Sequence, residues 1–168
     1  MAGQFALLTE QILTRFSDLA YVNRRRLYRI WLVTPWIGYK EKGRDPLNPL
    51  VEAVREQKGA ALILITTAPK LDWHTKAIEF LRSETSLICF DCKDLHAKIF
   101  LLECDGFRAA FFGSPNFTPR ANNINRELAI DFRTTMQDPA DSVGKMMNDL
   151  FVYVDTLRGQ SSKLRFET

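Results

Sequence analysis

Cysteine and histidine are both scarce in this chain, at three and two among 168 residues. A small, odd number of thiols argues against a disulfide framework and points to a reducing, cytoplasmic setting. No apolar run approaches the roughly 20 residues that cross a bilayer, which excludes a membrane-spanning helix. The first residues, Met1-Ala-Gly-Gln-Phe-Ala-Leu-Leu, lack the basic start and small-residue cleavage site of a secretory signal, so none is expected. Low-complexity tracts and internal repeats are also missing. Charge of one sign does not dominate. The formal net charge is only +3, so bulk charge by itself names no partner.

What is present is an ordinary globular composition, 46% hydrophobic and 26% charged. The length suits one domain over residues 1–168. Phe5, Leu8, Ile12, Phe16 and Leu19 recur at helical spacing, which predicts an N-terminal amphipathic helix within residues 1–22. Leu27 to Ile37 is rich in strand formers and ends at Thr34-Pro35. A helix is expected over Pro49–Lys58, stopped by Gly59. A strand buried on both faces is expected over Ala60–Thr66. A second helix is expected over Asp72–Ser83 with Asp72 as its N-cap. Short strands at Ser86–Phe90 and Glu127–Phe132 and a helix at Val143–Leu157 complete the pattern. Residues 159–168 are polar and read as a loose tail. Strands alternating with helices, followed by a hairpin, predict an α/β fold with a mixed β-sheet flanked by helices.

The cations gather in places. Arg24, Arg25 and Arg26 with Arg29 form one cluster, and Lys40, Lys42 and Arg44 a second, diluted by Glu41 and Asp45. Such clusters neutralise phosphates, and they are also what a solvated surface looks like.

Both histidines stand in a His-x-Lys triplet. His74-Thr-Lys76 falls within a helical pattern, where i and i+2 do not share a face, and reads as a surface coincidence. His96-Ala-Lys98 opens an apolar run of strand length, where i and i+2 do share a face. Asp105-Gly106 then signals a tight hairpin between Ile99–Cys104 and Phe107–Phe112. The hairpin would return Gly113-Ser114-Pro115-Asn116 to the end of the sheet that carries His96 and Lys98. Ser114-Pro115 also has the form of a helix N-cap with Pro at the first helical position, an arrangement that aims backbone N–H groups at an anion. Glu127 heads an apolar strand, where an idle carboxylate is unusual. Cys89-Phe-Asp-Cys92 invites a zinc reading with Cys104 and a histidine as further ligands, but no second pair exists, and buried free thiols are the default.

His96-Ala-Lys98, a short apolar strand and Gly113-Ser114-Pro115-Asn116 together resemble the phospholipase D superfamily. Asn116-Phe-Thr and Asn125-Arg126-Glu127 are most similar to its bacterial endonuclease branch. The acidic position of the motif falls to Glu103 or to Asp105. The resemblance implies a phospholipase D-like fold and a metal-independent phosphodiesterase, foremost a nuclease, with no cofactor and no metal site. It implies that His96 attacks phosphorus to form a phosphohistidine, while a second imidazole serves the leaving oxygen and then water. Lys98, Asn116 and Ser114 would hold the non-bridging oxygens, and Glu127 would orient His96. Gly113, Arg24, Arg25, Arg26, Trp36, Lys40 and Arg120 are the candidate substrate-binding residues. Because the chemistry needs two such triplets and one is credible here, the resemblance implies a homodimer. The expected partner is nucleic acid, DNA ahead of RNA, and no membrane. The competing expectations are a phospholipid hydrolase and a binding subunit of a helicase, restriction or phage-defence assembly.

Overall fold

The computed structural model describes residues 4–40, 45–135 and 142–164. Its strands are β1 (Gln4–Leu8), β2 (Leu27–Val33), β3 (Ala61–Thr66), β4 (Leu87–Asp91), β5 (Ile99–Cys104), β6 (Phe107–Gly113), β7 (Ala129–Thr135) and β8 (Ser162–Lys163). The helices are α1 (Ile12–Val22), α2 (Leu47–Glu56), α3 (Asp72–Glu84), α4 (Pro119–Asn123) and α5 (Ser142–Gln160). All strands join one sheet in the order β1-β7-β6-β5-β2-β3-β4-β8. The β2–β3 and β3–β4 pairs are parallel, and the remaining pairs are antiparallel. This is the mixed, helix-flanked sheet expected from the sequence.

Each face of the sheet has its own core. On one face, Ile30, Leu32, Leu62, Leu64, Phe100 and Leu102 pack against α1, α2 and α3. On the other, Trp31, Val33, Ile63, Ile65 and Leu101 pack against Met147 and Val154 of α5. Adjacent residues of a strand therefore serve opposite cores, as the two-residue period requires. This is why residues 30–33 of β2, 61–65 of β3 and 99–102 of β5 read as unbroken apolar runs. Asp105-Gly106 closes the β5–β6 hairpin between Cys104 and Phe107, with Gly106 at φ +67°. That is a left-handed conformation in which glycine carries no Cβ penalty.

Three expectations need correction. Phe5 belongs to an edge strand, not to the first helix. Residues 4–8 pair with β7, Gln11 takes a left-handed conformation, and α1 begins only at Ile12. The helical spacing of Phe5 and Leu8 against Ile12 was a coincidence across that break. The segment expected as a loose tail is structured to residue 164: α5 runs to Gln160, Ser162 and Lys163 pair with β4, and the Leu164 N–H donates to the Cys89 carbonyl at 2.9 Å. Its polar side chains conceal a role that belongs to its backbone. Asp72 is the first residue of α3 rather than its cap; it pairs with Lys76 at 2.8 Å, in the first turn where the helix dipole favours an acid.

Candidate active site

The β5–β6 hairpin delivers its two ends to the same edge of the sheet. Ile99 pairs with Phe112, and the Gly113 N–H donates to the Lys98 carbonyl at 3.2 Å, which carries the ladder one residue past β5. His96 and Lys98 thus lie just ahead of the strand rather than within it. Leu95 is buried and anchors this lead-in, His96 is exposed, and Lys98 is half-buried. Ala97 packs with Ile99 and Leu101 on the α5 face. An extended backbone then assigns His96 and Lys98 to the opposite face, as the His-x-Lys spacing predicts.

Gly113 has a packing reason to be glycine. A Cβ there would stand 2.1 Å from the Leu128 carbonyl oxygen and 2.6 Å from the Ala129 Cα. This contact lets β7 run close beside the end of β6. The Ser114 N–H donates to the Leu128 carbonyl and the Leu128 N–H donates to Ser114 Oγ, both at 2.9 Å. Ser114 Oγ in turn donates to Glu127, whose other oxygen accepts from the Asn125 side chain at 3.1 Å. Glu127 is therefore engaged with Ser114, and no hydrogen bond joins it to His96 among the described residues. It precedes β7, which starts at Ala129, two residues later than expected.

Ser114 is not a helix cap. The cap belongs to Thr118, whose hydroxyl accepts from the Ala121 N–H at 3.2 Å, with Pro119 as the first residue of α4. In the residues between, Phe117 bridges to Ile37, and the Thr118 N–H closes a tight turn onto the Asn116 carbonyl at 2.8 Å. Phe117 is fully buried, edge-on to Phe100 with ring centroids 5.1 Å apart. Phe16 joins the same cluster, 5.7 Å from Phe100 and 5.3 Å from Phe111. Aromatic pairs of this kind add about 0.5–1.5 kcal/mol each beyond area burial. The core thereby fixes the residue next to Asn116. Thr34, buried at the end of β2, fixes the other side: its hydroxyl accepts from the Phe117 N–H at 3.2 Å and lies 3.4 Å from Asn116 Oδ1.

The turn after β2 is equally constrained. The Pro35 carbonyl accepts from the hydroxyls of Thr66 at 3.0 Å and Thr67 at 2.7 Å. His74 Nε2 lies 3.0 Å from the same Thr66 hydroxyl. The sequence read His74 as a surface residue, yet it is buried, and burial lowers its pKa below the ordinary 6.5. The missed signal was its register: His74, Ala77, Ile78 and Leu81 form the buried stripe of α3.

Two adjoining hollows share Trp36 as a wall. One, of about 660 Å³, is lined by His96, Lys98, Lys70, Lys93, His74, Asp91 and Asp94 among others. The other, of about 640 Å³, is lined by Asn116, Lys40, Arg120, Trp73, Tyr39 and Asn125 among others. The structure therefore gathers His96, Lys98, Ser114, Asn116, Glu127, Trp36, Lys40 and Arg120 at one end of the sheet. Arg24, Arg25 and Arg26 are not with them. They form a 3-10 turn ahead of Leu27, and the Asp105 N–H donates to the Arg26 carbonyl, which places them at the hairpin tip. The length of β2, ~3.3 Å per residue, separates them from His96 by roughly 20 Å. Arg24 is also engaged, with Glu56 at 2.5 Å. Lys42 and Arg44 lie outside the described residues. Glu103 is held by the Trp31 indole at 3.3 Å, Arg29 at 3.5 Å and Arg108 at 3.4 Å, at the far end of β5 from the site. Cys89 and Cys104 are buried, and burial raises their pKa to about 12 and about 11, so both are protonated thiols at neutral pH.

At the level of sequence, no protein-family model and no curated protein matches the chain. Solved structures do. NucT from Helicobacter pylori superposes with a TM-score of 0.69 at 11% identity, covering 96% of this chain and 99% of that one. Nuc, a phospholipase D family member from Salmonella typhimurium, gives 0.68 at 13% identity, covering 98% and 99%. A polyphosphate kinase from Porphyromonas gingivalis gives 0.56 at 15% identity, with 98% of this chain matched to 27% of that one. The chain has the phospholipase D-like fold over nearly its whole length.

Proposed function

We propose that this chain is a metal-independent phosphodiesterase that cleaves nucleic acid, DNA foremost, through a covalent phosphohistidine on His96. One observation carries the reading: in a fold shared end to end with Nuc and NucT, the β5–β6 hairpin brings an exposed imidazole beside Lys98 and the Gly113–Asn116 segment. A ring nitrogen of His96 forms the bond to phosphorus as the P–O bond to the leaving group breaks. A second imidazole gives that oxygen its proton. Water then attacks the phosphohistidine, returns a proton to the second imidazole and frees His96. Lys98 and Asn116 offset the charge on the non-bridging oxygens.

The second imidazole is the partner's His96 in a homodimer. The other histidine of this chain is a poor substitute: His74 is buried next to Thr66, and its lowered pKa disfavours carrying a proton at neutral pH. The decisive experiment incubates end-labelled DNA with protein in excess chelator and quenches in alkali. Cleavage together with a labelled, alkali-stable, acid-labile protein adduct is expected, and both vanish in His96→Ala. Mixing wild type with excess His96→Ala should poison activity through heterodimers. A chain that stays monomeric and still cleaves overturns the dimer; binding without cleavage in the wild type makes the chain a binding subunit instead.

A further inference from the structure

Trp36 and Trp73 come from separate parts of the fold, the turn after β2 and the first turn of α3, and line one hollow beside Asn116. Their side chains remain open, at 49% and 41% exposure. The chain beside each is nevertheless anchored. Trp36 follows the Pro35 carbonyl that takes the hydroxyls of Thr66 and Thr67, and its own carbonyl accepts from Thr34 at 2.9 Å. Trp73 stacks along the buried His74 ring, centroids 5.7 Å apart at 24°. Tyr39, a third ring of the lining, lies flat against Phe80 at 3.9 Å. The charged lining consists of Lys40 and Arg120, with no carboxylate among the described lining residues. The buried Asp45 carboxylate fixes the Lys40 backbone by accepting its N–H at 2.7 Å. Aromatic faces, amides and two cations fit a ligand that is flat, π-faced and anionic. The volume, about 640 Å³, suits a nucleotide-sized group.

We propose that the hollow between Trp36 and Trp73 holds an unstacked base of a single-stranded nucleic acid, with Lys40 and Arg120 on the adjoining phosphate. This rests on the phosphodiesterase reading and deepens it, because Trp36 also walls the hollow that contains His96 and Lys98. The strand passes from one hollow into the other across Trp36. A paired duplex keeps its base faces stacked on one another and offers none to the indoles. Single strands are therefore the preferred substrate.

The test uses the full-length His96→Ala protein, so that nothing is cleaved, and fluorescence anisotropy of labelled oligonucleotides. The probes are an oligothymidylate, an abasic strand of the same length, and a duplex of that length. Base–aromatic stacking predicts about five- to hundredfold tighter binding of oligothymidylate than of the abasic strand. Adding Trp73→Ala erases that difference, and Trp73→Phe keeps most of it. Equal affinity for the base-bearing and abasic strands overturns the proposal even if Trp73→Ala fails to fold. So does a duplex bound as tightly as the single strand. Sedimentation in which Trp73→Ala turns a dimer into monomers also overturns it, by assigning the indoles to a contact between copies. Failure here leaves the phosphohistidine chemistry standing, and failure of the cleavage assay leaves these binding ratios measurable.

Discussion

The Ser114 hydroxyl donates its one proton to the Glu127 carboxylate and accepts from the Leu128 N–H. The two side chains therefore act as a unit. Ser114 has no proton left for a phosphate oxygen in this state, and Glu127 has a partner other than His96. A double-mutant cycle on cleavage measures this. Ser114→Ala and Glu127→Gln should each lower kcat/KM on the order of tenfold or more, and the double variant should be no worse than the weaker single one, since groups that act together are non-additive. Multiplicative losses would mean that the two residues work separately.

His74 makes stability depend on pH. The Thr66 hydroxyl gives its proton to the Pro35 carbonyl at 3.0 Å, so it accepts from His74 Nε2. Burial holds its folded pKa below the ordinary 6.5. The unfolded chain then binds the proton more readily, and stability is complete above pH ~6.5 and declines as pH falls toward the folded value. Denaturant midpoints should drop from pH 7 to pH 5, and His74→Gln should flatten that part of the profile. All other groups are common to both proteins, so the difference between the two profiles isolates His74. An unchanged slope in His74→Gln would show that His74 plays no part in it.

The same histidine shows where sequence reading succeeded and where it stopped. The β5–β6 hairpin was legible because Asp105-Gly106 sits between two apolar runs, and local chemistry alone dictates such a turn. β3 was legible because a strand buried on both faces leaves an unbroken apolar run. His96, Lys98 and Asn116 could be placed together because strand parity and one turn suffice to do it. His74 and Trp73 depend on how α3 meets the end of β3, and the Thr34–Phe117 bond on how the end of β2 meets the segment after β6; neither is written in a local pattern. Phe5 misled because one edge strand and one helix produced a common spacing by chance. The position of the arginines at 24–26 was not legible because charge in a sequence carries no information about which end of a strand it occupies.

Gly113 tolerates no side chain. Gly113→Ala would push a methyl into the Leu128 carbonyl, 2.1 Å from the ideal Cβ, with backbone on both sides and no flexible group to yield. Overpacking of this kind costs about 1–3 kcal/mol or more. The variant should unfold at lower denaturant, and the protein that does fold should lose activity, because β6 and Leu128 position Ser114. Wild-type stability in Gly113→Ala would contradict the tight β6–β7 approach.

The arginine cluster should matter little to catalysis. Replacing Arg24, Arg25 and Arg26 together by alanine should change cleavage of a short oligonucleotide less than twofold, since the strand would have to reach the opposite end of β2. Arg120→Ala and Lys40→Ala should each weaken binding and reduce its salt dependence by about one counterion. A collapse of activity in the triple variant, on short substrates and at unchanged stability, would place the nucleic acid along the sheet rather than across its end.

β1 lies against β7, with Leu8 opposite Ala129. During translation residues 4–8 leave the ribosome well before residues 129–135 and must wait for them before they can dock. Closing so long a loop is entropically slow, and meanwhile the ladder groups of residues 4–8 are free to pair with another nascent chain. The same delay bears on the site: Ser114 and Glu127 are not locked together until Leu128 and β7 arrive, so on the proposed function a partly synthesised polypeptide holds no assembled centre.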